Sequence, residues 1–225
     1  MKATLRNVVG WLSGARRITV LFIPCGEFGD EDPVPAFQAI FRGIRLGHCT
    51  GVTVDAATLH LRESLALDGE KRSERTLVVF GHPAAELNGV RVNPGLKANN
   101  SVLLHRWWDE GERYCDLFVA HVCDGARVLS RELWSKLFPE WVSFRGEIYS
   151  FTASVRGQDR WAMVMKDMLN DLPMRKSARS AAAALKGIYL RSLATTWDGL
   201  DAAGGDALNV MYFQRCVEQM EHSNE

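Results

Sequence analysis

The sequence predicts an α/β protein of three layers, with helices on both faces of a mainly parallel sheet, on three observations. Segments that read as strands alternate with segments of helical periodicity along most of the 225 residues. Two of the strand-like runs, TLVVFG at 76–81 and DLFVAHVC at 116–123, are almost continuously apolar, as strands covered on both faces are. With 47% hydrophobic residues, the chain can also bury a sizeable single core.

Taken in order, ITVLFIP at 18–24 is a β-branched, apolar run closed by Pro24 and an acidic, glycine-containing loop, hence a buried strand. VPAFQAIFRGIRLG at 34–47 has apolar residues at three- and four-residue intervals and Gly47 at its end, and reads as a helix crossing over the sheet. The polar stretch at 65–75 is a solvated connection before the central strand TLVVFG. Asn88-Gly89 and Asn93-Pro94-Gly95 are turn signals, and the VRV between them predicts a short hairpin. A short helix is expected to begin near Ser101, within SVLLHRWWDEGERY. DLFVAHVC is the next strand; a helix within ARVLSRELWSKLFP and a further strand in EWVSFRGEIYSFTAS follow. RWAMVMKDMLNDL and SARSAAAALKGIYLRSLATTW are two more helices, parted by Pro173. The organisation is then an N-terminal extension, residues 1–17, and a single domain over 18–225 whose C-terminal helices occupy about 161–220.

Twenty-seven basic and 27 acidic residues cancel, so the overall balance asks for neither nucleic acid nor an anionic membrane as partner. The N-terminal MKATLRNVVGWLSGARR scatters charge through a short apolar run. It matches neither a signal peptide nor a membrane span of about 20 apolar residues. Five cysteines, an odd number at irregular spacing, do not look like a disulfide framework and fit a reducing, cytoplasmic setting.

In sheets of this kind ligands gather at the carboxyl ends of the strands. Two polar candidates fall there: His82, directly after TLVVFG, and Cys123, ending DLFVAHVC 41 residues later. A cysteine attacks as its thiolate, and an imidazole that takes the proton and returns it to a leaving amine supplies what amide cleavage needs. An apolar strand ending in Phe80-Gly81-His82, followed by one ending in Val119-Ala120-His121-Val122-Cys123-Asp124-Gly125, resembles the caspase-like cysteine peptidases, including the bacterial branch called CHAT. The resemblance spans roughly residues 18–170. It implies a caspase-like α/β/α domain with His82 as general base, Cys123 as nucleophile and a polypeptide as substrate. No cofactor or metal is implied, but a sensor or activator protein is.

In that family a glycine normally follows the histidine, and its N–H helps bind the oxyanion together with that of the cysteine. Here the position is Pro83, which has no N–H. Loss of one such donor costs on the order of 10²- to 10³-fold in rate, so another must replace it. Ala84 N–H and the Asn88 side chain are candidates, and Asp124 and Gly125 complete the set beside the nucleophile. Arg145 and Glu147, on the strand expected after the nucleophile, are candidates for substrate contact.

Other readings stand beside these. Cysteine is among the most buried residue types, so Cys123, like Cys25, Cys49, Cys115 and Cys216, also reads as core. His121 shares a strand face with Cys123 and reads as a core histidine, a supporting partner or a rival base. His105, Cys115, His121 and Cys123 are metal-ligand types, but no Cys-x-x-Cys pair supports a zinc site. No phosphate-binding glycine motif occurs either. The function expected is a cysteine endopeptidase acting as a regulated bacterial effector. The alternative is a caspase-like binding or signalling module that holds a peptide or partner uncut.

Overall fold

The run TLVVFG sits at the middle of the sheet because it can be covered from both sides. The computed structural model describes residues 17–24, 32–53, 75–81, 86–87, 90–91, 115–130, 135–136, 138–148, 158–197 and 206–224. In it β3 spans Arg75–Gly81, and every residue from Thr76 to Gly81 is buried. It lies between β1 (Arg17–Ile23) and β6 (Leu117–His121), parallel to both. β2 (Cys49–Thr53) extends the sheet beyond β1, and β7 (Trp141–Phe144) extends it beyond β6, again in parallel. β8 (Met220–His222) pairs antiparallel with β7, giving the order β2-β1-β3-β6-β7-β8. The chain is therefore α/β with a six-stranded, mostly parallel sheet, as the alternation of segments predicts. A separate antiparallel ribbon, β4 (Glu86–Leu87) with β5 (Val90–Arg91), is the hairpin announced by Asn88-Gly89.

Five helices are described: α1 (Val34–Ile44), α2 (Gly125–Leu129), α3 (Gln158–Asp171), α4 (Ala178–Trp197) and α5 (Asp206–Gln219). α1 starts where Asp32 Oδ1 accepts the Val34 N–H at 2.9 Å, with proline in its first turn. It ends at Arg45, left-handed at φ 51°, and not at Gly47. The chain must turn at once to reach β2, where Cys49 N–H donates to Leu46 O at 3.2 Å. Pro173 interrupts the helical run as expected, inside a 3₁₀ turn at Leu172–Met174.

Alternation along each strand sorts the core. Ile18, Val20 and Phe22 of β1, Val78 and Phe80 of β3, Leu117 and Val119 of β6, and Val142 and Phe144 of β7 join one cluster with α1, α3, α4 and α5. Trp161 of α3 keys it together, edge-on to Phe37 of α1 at 4.8 Å and to Tyr212 of α5 at 4.7 Å. The intervening residues, among them Leu21, Leu77, Val79, Phe118 and Ala120, are buried as well, and Phe138 stacks on Phe118 at 4.2 Å.

Two expectations change. β7 stops at Phe144, so Arg145 and Glu147 lie beyond the strand and not on it. The chain bends there because Arg145 N–H goes to Gln219 O at 2.8 Å and Gly146 O receives Asp124 N–H at 3.1 Å. β2 and β8 are strands with no counterpart in the sequence reading. Of the helix expected in ARVLSRELWSKLFP, α2 (Gly125–Leu129) and helical residues at 135–136 are described. The N-terminal extension, apart from Arg17, the connection at 65–74 and the helix near Ser101 lie outside the described residues. Among the described residues no helix is long and apolar enough to cross a membrane.

Candidate active site

β3 and β6 run in register with Phe80 opposite His121, and the two rings stack at 4.9 Å between centroids. Phe80 belongs to the cluster under the helices, and so do Leu117, Val119 and Cys123. Odd positions of β6 thus face that side, and Cys123, two residues past the strand's end, keeps the same parity. His82 follows the last residue of β3 in sequence and lies outside the described residues, as do Pro83, Ala84 and Asn88.

His121 is fully buried, its Nε2 shares a hydrogen bond with Tyr189 Oη of α4 at 2.8 Å, and Phe144 tilts over the ring at 5.2 Å. Burial drives its pKa down to about 3, so at neutral pH it is uncharged. Its place is a core histidine tying β6 to α4.

Cys123 is 4% exposed, and its Sγ accepts the backbone N–H of Ile148 at 3.1 Å. Cys216 of α5 shares the cluster. Burial holds the Cys216 thiol well above the usual range; a hydrogen bond with Tyr212 opposes this and the nearby Cys123 adds to it. After Cys123 the chain turns sharply. Asp124 is left-handed at φ 56°, a conformation its short polar side chain tolerates, and Gly125 N–H returns to Val122 O at 3.3 Å.

Gly125 is required by a close approach, not by its φ. A Cβ there would overlap Ser143 Oγ, which is already committed to Ala120 O at 2.9 Å between β6 and β7. Gly125→Ala is expected to cost about 1–3 kcal/mol by overpacking. In urea unfolding, adding Ser143→Ala should recover part of that loss, and a cost indifferent to residue 143 would refute the clash.

Arg145 is exposed and ion-paired with Glu221, and Glu147 O receives Arg215 Nη1 at 3.2 Å. With Gly146, Lys186, Glu218, Gln219 and Met220, the Arg145–Glu221 pair lines an open pocket of about 400 Å³ behind the turn. The structure therefore brings Cys123, Asp124, Gly125, Arg145 and Glu147 to one end of the sheet. Sequence reasoning missed Ile148, Tyr189 and Cys216 as neighbours of the site. A backbone donor has no side-chain signature, and Tyr189 sits in an alanine-rich helix that reads only as packing. Comparison of the chain with protein-family models, with curated proteins and with solved structures found no match.

Proposed function

We propose that the chain is a cysteine endopeptidase of the caspase-like type, with His82 as general base, Cys123 as nucleophile and a polypeptide as substrate. One observation carries this: Phe80 and His121 stack across β3 and β6, and two residues further along both chains the next pair of the same parity is His82 and Cys123. His82 would take the proton from Cys123, and the thiolate would attack the scissile carbonyl. The imidazolium would return the proton to the leaving amine, after which water hydrolyses the thioester. Burial of both faces of β3, β6 and β7 supports the three-layer arrangement that this type of domain has. Pro83 leaves Ala84 N–H or the Asn88 amide to complete the oxyanion site, and a partner protein that completes it would act as the activator.

The test is the pH dependence of Cys123 alkylation, read by peptide-mapping mass spectrometry, in the parent protein and in His82→Ala. A coupled dyad labels Cys123 selectively near neutral pH, and His82→Ala slows it by about tenfold or more, one pH unit of thiolate. Slow labelling indifferent to His82 would sink the dyad. It would favour the second reading, a caspase-like module that holds a peptide or partner uncut, for which the 4% exposure of Cys123 already speaks.

A further inference from the structure

We propose that the backbone N–H of Ile148 holds the sulfur of Cys123 in its deprotonated form and fixes its direction, with the turn 145–148 as a positioning element for the nucleophile. This rests on Cys123 being the nucleophile. The donor stands 3.1 Å from Sγ, and a donor hydrogen bond favours the charged form of its acceptor over the neutral one. The turn that carries it is not free to follow the sulfur. Arg145 N–H is tied to Gln219 O at 2.8 Å, the Arg145 guanidinium pairs with Glu221, and Gly146 O takes Asp124 N–H at 3.1 Å. Arg215 of α5 grips Glu147 O from the other side, and the Ile148 side chain is fully buried. β8 and the end of α5 thus fix one wall against which the thiolate rests.

Charged residues of both signs lie in and beside the turn. Asp124 follows Cys123 in sequence, and Arg215 of α5 reaches Glu147 O, the residue before the donor. Lys186 of α4 lines the pocket behind the turn. Cys216 of α5 stays protonated and His121 of β6 stays neutral, so neither adds charge at neutral pH. His82 is the base under the function proposed above.

Ile148→Pro removes the N–H but also a buried side chain, so the primary test replaces the peptide amide at 148 by an ester in the full chain, using the 2-hydroxy analogue of isoleucine. Alkylation of Cys123 should then shift upward by about one pH unit, roughly tenfold slower at neutral pH, with an unchanged circular dichroism spectrum. An unmoved midpoint overturns the proposal. In the unmodified protein, the Ile148 amide resonance should titrate with the same midpoint as Cys123 labelling; a flat resonance also overturns it. His82→Ala separates the two ideas. A profile moved by His82→Ala but not by the ester keeps the dyad and removes the donor; one moved by the ester alone keeps the donor and removes the dyad.

Discussion

Lowering the pH from 6.5 to about 3 is expected to remove roughly 4–5 kcal/mol of folding stability through His121 alone. The histidine lies between Phe80 and Phe144 with no exposure, so its folded pKa is held down to about 3 by burial. The unfolded chain takes up a proton at this residue below about pH 6.5. Between those values the unfolded state binds more protons, so stability falls as pH falls, by about 1.4 kcal/mol per unit. The contribution is complete above 6.5 and exhausted near 3. Urea titrations from pH 7 to pH 4 check this, comparing the parent with the double variant His121→Phe and Tyr189→Phe, which replaces the polar contact by apolar rings. The parent should lose stability more steeply on acidification by up to one proton's worth. Equal slopes in the two proteins would show that His121 is protonated in the fold.

Trp161→Ala is expected to cost about 3–5 kcal/mol, enough to threaten a domain of ordinary stability. The indole is 1% exposed and touches Phe37 at 4.8 Å, Tyr212 at 4.7 Å and Phe213 at 5.0 Å, so it joins α1, α3 and α5 at one point. Its removal leaves a void bounded by three helices that cannot all close in, since α1 is also held by β1, α3 by α4, and α5 by α4 and β8. Trp161→Phe, which keeps an aromatic edge, should lose clearly less. Denaturant midpoints decide the matter: a cost below about 1 kcal/mol for the alanine variant would mean that the helices do collapse onto the gap.

The parts of the fold legible in the sequence are those in which side chains alone carry the signal. TLVVFG and DLFVAHVC announce central strands because burial on both faces leaves no room for polar alternation. The β4–β5 ribbon shows because the Asn-Gly pair between its strands is a turn signal in the sequence. β2 escaped because an edge strand of CTGVT, with Thr50 and Gly51 exposed, carries little apolar pattern. Gly51 is there to let the Phe41 ring come close, a contact between distant residues that no local window can report. β8 has three residues and takes its identity from β7. At the site, the 41-residue interval between His82 and Cys123 implied no proximity by itself. It is the pairing of β6 with β3 that sets the end of β3, which His82 follows in sequence, beside the strand that leads to Cys123. The donor from Ile148 was invisible for a different reason: it is a main-chain group, presented by a bend whose cause is Gln219 and Glu221.

Those two residues are also late. The ribosome adds Gln219 96 residues after Cys123, which at 5–20 residues per second is roughly 5–20 s. During that interval a growing chain already carries the cysteine and the β6 that presents it, but not the carbonyl that receives Arg145 N–H or the carboxylate that pairs with its guanidinium. The order of translation then works as a timer. The thiol is emitted first and its clamp last, so a copy still being made carries the sulfur without the turn that fixes it.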